Sequence, residues 1–255
     1  MNPWAVYELL WDRLGDAGHC RSATLGLVWT LCEGPAGMGL AMTAAGAPRT
    51  LPWPGTLAGR PLAELARWLE RFQPHEATLG LAAVNAVING ADNSLRERAC
   101  PIRSAAPGNL AVFGHFLPQL QGQRVIVIGR YPGLDRLTAG LDVTVLERQP
   151  GPGDLPDPAC EYLLPEADWV FLTASTLANK TFPRLASLAV DATTVLMGPS
   201  APWLAELAQF GIDYLAGVVI DEPDLLRRTV AEGGGTRLFD GPLHYRLARL
   251  GPPLP

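Results

Sequence analysis

Between Thr173 and Thr181 the chain sets Thr173, Ser175, Thr176, Asn179 and Thr181 within nine positions. They follow an apolar run and enter a helical segment. Hydroxyls, an amide and helix N-terminal N–H groups converge there, which suits an anion or a polar ring edge. Ordinary capping by Ser175 or Asn179 accounts for one such residue well, and for five less well. A second place is Glu147, at the end of a short apolar run. Rossmann folds place an acid on ribose hydroxyls at about this spacing. A surface glutamate beside Arg148 is the alternative, and the position favours a ligand role. A third is Gly129-Arg130-Tyr131-Pro132-Gly133. Its two glycines let a ligand approach the backbone, so Gly129 and Arg130 are candidate contacts. The pattern is not G-x-G-x-x-G, Pro132 lacks a donor, and a tight strand-to-helix turn explains it equally well. The fourth is Gly198-Pro199-Ser200, whose Gly198 and Ser200 close another apolar run.

Asn85 and Asn89 lie four apart, on one helix face. Asn85 sits in the small apolar stretch Gly80–Ala86, where an amide must find partners or cost about 1–3 kcal/mol. A structural hydrogen bond and a ligand contact both fit it. Asn89 fits a helix C-terminus. Glu33, at a hairpin turn, is the candidate proton-transfer carboxylate, and a solvated surface acid is its alternative. No G-x-S-x-G elbow or local Ser/His pair marks a serine nucleophile.

Cys20, Cys32, Cys100 and Cys160 are widely spaced, as are His19, His75, His115 and His244. No C-x-x-C or H-x-x-x-H supplies a local metal site. The cysteines read as free thiols of a reducing compartment. A net charge of −5 without Lys/Arg-dense stretches gives no nucleic-acid footprint. No basic n-region opens the chain, and no apolar run approaches the roughly 18 residues that span a bilayer. The expectation is a cytoplasmic protein with a small-molecule ligand and neither nucleic acid nor membrane as partner; homo-oligomers are compatible with it. No cofactor is identified.

These residues need elements to position them. The 255 residues, 48% apolar and 18% charged, suit one large domain or two modest ones. The spacing predicts a helix over 4–14, a strand over 24–31 with Leu25, Leu27, Trp29 and Leu31 on one face, and a hairpin partner at 38–42. Helices follow from Pro61, with Leu62, Leu65, Leu69 and Phe72 as its stripe, and from Glu76 to Asn89, with Gly90 at C′. Asn109 is the expected cap of a connecting helix. The pattern then changes. Val125–Ile128 is a continuous apolar run, as in a strand buried on both faces. Strands at 143–146, 169–172, 194–197 and 214–218 alternate with helices at 182–188, 203–210 and 223–232. That alternation implies βαβ crossovers and a mostly parallel sheet.

Together the segments resemble a family of "putative heavy-metal-chelation" proteins. The matching pieces are Leu57-Ala58-Gly59-Arg60-Pro61-Leu62-Ala63-Glu64-Leu65, Gly80–Ala86, Val127-Ile128-Gly129-Arg130-Tyr131-Pro132 and Leu163-Leu164-Pro165-Glu166-Ala167-Asp168. Thr173 with Leu177–Thr181, Gly198–Pro202 and Gly211–Gly217 continue the match. Lys180 stands where the pattern leads one to expect Gly, which would narrow the pocket or add a cation. The resemblance implies an α/β protein. Its N-terminal α+β, enolase N-terminal-like domain is placed at 1–106. A C-terminal Rossmann-like domain with a mostly parallel open sheet, similar to those of methyltransferases, is placed at 107–255. It further implies a junction site for condensation or hydrolysis of flavin-, pterin- or siderophore-like molecules, so that the metal is met through a chelating compound. On that reading Glu147 binds hydroxyls, Thr173, Asn179 and Thr181 bind an anionic or carbonyl group, and Asn85 closes the pocket. The alternative is a non-catalytic binding module for a metal chelate or nucleotide-like ligand.

Overall fold

The computed structural model describes residues 2–46 and 50–251. Helix α1 (Ala5–Asp12) precedes a three-stranded antiparallel meander, β1 (Ser22–Leu25), β2 (Trp29–Glu33) and β3 (Met38–Met42). Helices α2 (Leu62–Arg67), α3 (Pro74–Ile88) and α4 (Ser94–Arg98) follow, then the two-residue strand β4 (Cys100–Pro101) and α5 (Ala111–Phe116). The remaining chain alternates: β5 (Arg124–Ile128), α6 (Leu134–Leu137), β6 (Asp142–Glu147), β7 (Leu155–Pro156), α7 (Cys160–Leu163), β8 (Trp169–Thr173), α8 (Ser175–Ala178), α9 (Phe182–Leu188), β9 (Thr193–Met197), β10 (Tyr214–Ile220), α10 (Pro223–Ala231) and β11 (Leu243–Arg249).

These strands form one eight-stranded sheet in the order β4-β11-β10-β9-β8-β5-β6-β7. From β7 to β10 every neighbouring pair is parallel, while β11 runs antiparallel to β10 and to β4. The fold is therefore mixed α/β around a mostly parallel sheet. Val125, Val127, Trp169, Phe171, Val195 and Met197 face one hydrophobic cluster with α5. Ile126, Ile128, Val170, Leu172 and Leu196 face the other, with α1 and α3. Burial on both faces explains the unbroken apolar runs. The order of β5's connections reverses between β6 and β8, so the carboxyl ends of β5 and β8 flank a topological switch point.

The first hundred residues pack onto that sheet rather than beside it. Trp29, Leu31 and Leu40 join the α5-side cluster. The Tyr7 hydroxyl of α1 donates to Leu177 O at 3.0 Å, and the Trp29 indole donates to Gly235 O at 3.1 Å. Helix α3 lies directly on β3. A Cβ on Gly39 would stand 2.1 Å from Ala82 O, so only glycine permits that approach.

Four local expectations are corrected. The strand expected over 24–31 breaks at Gly26, where Gly26 N donates to Trp29 O in a tight turn, and Leu27 is 86% exposed. A Cβ on Gly26 would stand 2.4 Å from Val230 O, so the approach of α10 enforces the turn. The α2 stripe ends before Phe72, which is 78% exposed. Residues 203–210 form a 3₁₀ turn from Ala205, because Trp203 is drawn into the core with its indole donating to Val218 O. Gly90 has no left-handed φ; Asn89 finishes α3 instead, giving its amide to Ala201 O and accepting from Trp203 N.

Candidate functional site

A cleft of about 800 Å³ opens along the carboxyl ends of β5, β6, β8 and β9. That volume is within the range of about 300–1,000 Å³ for small-molecule sites, and the position is where open α/β sheets bind ligands. The end of β3 and the residues after it, Met42–Ala45, cover the cleft together with Pro74 and Thr78 of α3.

Each strand ends in a turn that exposes backbone to the cleft. After β5, Gly129 adopts φ +100°, and a Cβ there would stand 3.1 Å from Thr173 Cγ2. Arg130 turns outward to pair with Asp154, with Nε donating at 2.9 Å. Asp154 also accepts from Gly151 N, and these two interactions hold its carboxyl below the ordinary carboxylate range. Glu147 closes β6 and faces the cleft. Its carboxylate accepts from Arg130 N at 3.0 Å, Arg148 N at 2.8 Å and Gln149 N at 3.4 Å. After β8, Thr173 Oγ1 meets Ser175 Oγ at 3.1 Å, and Thr176 donates to Thr173 O at 2.6 Å. Asn179 Oδ1 accepts from Thr181 N and Thr181 Oγ1, an Asx-type turn. After β9, Gly198 (φ +117°) faces open space, and Ser200 Oγ accepts from Met42 N at 2.9 Å. Ser200 thereby pins the covering segment to the sheet.

Gly129, Arg130, Glu147, Thr173, Asn179, Thr181, Gly198 and Ser200 thus all line one cleft. Asn85 and Glu33 do not. Asn85 is fully buried behind Ser200, giving its amide protons to Leu40 O at 2.8 Å and Ser200 O at 2.9 Å. Its role in closing the pocket is corrected to bracing the wall. Glu33 lies at the far end of β2, where Arg227 and Ser22 hold it. The Arg227 guanidinium is the main reason its carboxyl sits low. Lys180 is corrected too. Its side chain leaves the cleft, donating to Arg71 O at 2.7 Å and Ala178 O at 2.9 Å. Its backbone has φ +67°, the only positive φ outside glycine among the described residues, which explains the expectation of Gly there. Asn109 does not cap α5; its amide donates to Pro132 O at the cleft margin.

Sequence reasoning missed Tyr131 and Tyr245 as cleft residues. Burial pushes the Tyr131 phenol up to about 12, with Thr173 bonding to it and opposing the shift. Burial raises Tyr245 well above its ordinary value, and Tyr131 adds to that rise. Both remain phenols at neutral pH. Phe239 stacks on Tyr245 with centroids 4.8 Å apart. Tyr131 stood inside the Gly129–Gly133 turn and was legible there; Tyr245 reaches the cleft from β11, more than a hundred residues away, with no local signal.

Two family models, each described as "Putative heavy-metal chelation", match residues 7–88 and 111–249. An uncharacterized protein of Methanocaldococcus jannaschii is 30% identical over 190 residues, which are 71% of this chain and 68% of the relative. A crystal structure of a protein of unknown function from Desulfitobacterium hafniense matches with a TM-score of 0.84 at 25% identity, covering 97% of this chain and 98% of that one. One from Pyrococcus horikoshii matches at 0.77 and 23% identity over 98% and 100%, a likeness of fold. The second family model alone spans more than half of the chain, and the protein therefore belongs to the family described as "Putative heavy-metal chelation".

Proposed function

We propose that the cleft binds a polar heterocyclic or chelate-forming small molecule of the flavin, pterin or siderophore kind, on which the protein carries out a condensation or hydrolysis. One observation carries this reading: the cleft lies at the switch point of a parallel sheet, with eight polar or glycine positions from four strand ends facing it. The strand order β7-β6-β5-β8-β9-β10 corresponds to the doubly wound order 3-2-1-4-5-6, which supports a Rossmann-like reading of 107–255. The meander with its following helices supports the enolase N-terminal-like reading of 1–106.

The donor set bears on how a metal is met. Among the described residues no group of three or more His, Cys, Asp or Glu side chains could hold a metal ion. Cys20 and Cys32 lie 3.9 Å apart, but both are buried away from the cleft. Burial, with Glu161 and Asp157 nearby, raises the Cys160 thiol, which disfavours the thiolate a metal requires. These residues do not fit a resident metal centre, so the metal of the family description is read as cargo of a chelating ligand.

A thermal-shift panel of pterins, flavins, siderophore-type chelates and free metal ions tests the proposal. A ligand at a hundred times its Kd adds about 2.7 kcal/mol of stability. We expect that shift from a member of the first three classes, and a smaller one in Thr173→Ala. Stabilisation by free metal ions alone, unchanged in Thr173→Ala, overturns the reading. The second reading, binding without chemistry, is favoured by the pairing of Arg130, Arg148 and Arg184 with Asp154, Asp157 and Glu161, which engages those six charged groups at that rim and leaves Glu147 with backbone N–H partners. Recovery of unchanged ligand by mass spectrometry selects it over the first.

A further inference from the structure

Three cationic side chains line the cleft among the described residues, Arg130, Arg148 and Arg184. Each is paired with a carboxylate, of Asp154, Asp157 and Glu161 in turn. Glu147 remains over, held by backbone N–H groups. The chain's lysine, Lys180, turns away to Arg71 O. Helices α6 and α8, which follow the ends of β5 and β8, have four residues each and give an anion little dipole. The cleft thus holds a carboxylate in excess and no unpaired cation, which works against a bound carboxylate or phosphate.

What the cleft offers instead is a pair of neutral donors. Tyr245 is 3% exposed and lines the cleft, and its hydroxyl has no hydrogen-bond partner among the described residues. That hydroxyl is not one of the polar atoms sealed inside the fold, so its free side is the cleft. A buried O–H without an acceptor is costly, and a ligand brings the acceptor. Tyr131 lines the same cleft, within electrostatic reach of Tyr245 and of Glu147, so the three belong to one continuous site. Burial keeps both phenols protonated; Glu147 adds to that for Tyr131, and Tyr131 for Tyr245. Phe239 stacks on Tyr245 at 4.8 Å and Phe113 meets Tyr131 edge-on at 5.0 Å, which holds the two rings. Phe239 and Trp29 add flat apolar surface to the lining, as a planar ring requires.

We propose that Tyr245 and Tyr131 are the specificity-determining donors of the cleft, giving their hydroxyl protons to a ring carbonyl of an uncharged planar heterocycle, and that compounds bearing a carboxylate or phosphate are excluded. The assignment rests on the cleft being the small-molecule site proposed above, and it narrows the ligand to the uncharged oxo-heterocycles among the pterins and flavins.

Titration calorimetry of the full chain tests it with two matched pairs: hydroxymethylpterin against carboxypterin, and riboflavin against riboflavin phosphate. The uncharged member of at least one pair is expected to bind. Its charged partner should bind at least about tenfold more weakly, because like charges brought together are strongly unfavourable. Tyr245→Phe removes only the oxygen. It should weaken the uncharged ligand about three- to tenfold, the worth of one hydrogen bond, and Tyr131→Phe should do the same. The melting temperature of the unliganded protein should not fall in Tyr245→Phe, since the hydroxyl has no partner to lose; a purely structural hydroxyl would lower it. A charged member that binds as tightly as its uncharged partner, or unchanged affinity in both Phe variants, overturns the assignment. If neither uncharged compound binds while a siderophore-type chelate still does in a Thr173-dependent way, the carbonyl assignment alone falls. If none binds, both proposals fall.

Discussion

Two residues show how a chemical type can be read correctly while its task is not. Asn85 had to be satisfied in an apolar helix, and it is, by carbonyls of β3 and of the turn after β9. Glu33 had the chemistry of a general acid, but its partner is Arg227 of α10. Their substitution separates structure from ligand binding. Asn85→Ala removes two buried hydrogen bonds and should cost about 2–3 kcal/mol in urea unfolding. Glu33→Gln should cost about 1 kcal/mol at pH 7, a figure reduced because the Arg227 side chain is 43% exposed against 13% for Glu33. The folded pKa of Glu33 is depressed, so its contribution is complete above the ordinary carboxylate range. It is lost as pH falls through the lowered folded value, and wild type and Glu33→Gln should converge there. The ligand affinity of Glu33→Gln should not move. A loss of cleft binding in that variant contradicts its placement.

At the scale of elements, the turns between strands and helices decide where side chains go. Lys180 is the chain's single lysine, and it follows Asn179 at a left-handed position. Its ammonium ties the α8–α9 turn to Arg71 O, with Phe72 at 5.8 Å, while burial lowers its pKa to about 8. The charged groups on the facing element are Arg71 and Glu76, paired at 2.9 Å. Between about pH 8 and the ordinary lysine value near 10.4, the unfolded chain keeps a proton that the folded chain has released. Stability therefore rises with pH across that window. Lys180→Met should lack the rise in thermal unfolding, and the lysine ε-carbon resonance should titrate near pH 8. A resonance titrating near 10.4 in the folded protein contradicts this account.

The strands of the parallel sheet were legible because burial on both faces leaves continuous apolar runs, as in Val125–Ile128. The turns were legible where glycine or proline marked them. What was not legible depended on distant neighbours: the break at Gly26 is imposed by Val230, and the 3₁₀ turn after Trp203 by the indole's partner on β10. Among site residues, those at strand ends were found by one topological rule. Asn85 was misplaced because helical spacing fixes a face but not what lies opposite it.

For the whole molecule, the N-terminal elements serve as the cover of a cleft whose floor is the C-terminal sheet. Met42 N on Ser200, Asn85 on Ser200 O and Tyr7 on Leu177 O join the two across the site. Among the described residues no helix is long and apolar enough to cross a membrane. The match to the Desulfitobacterium hafniense structure extends over both parts of the chain, a likeness of the whole fold.

Amide hydrogen exchange, with and without the ligand that stabilises the protein most, reads the cleft directly. Protection should appear together at 129–131, 147–149, 173–176 and 198–200, with the cover at 42–45 slowed as well. Protection confined to the Cys20–Cys32 region, or absent from all four strand ends while the ligand is bound, contradicts the assignment of the site to this cleft.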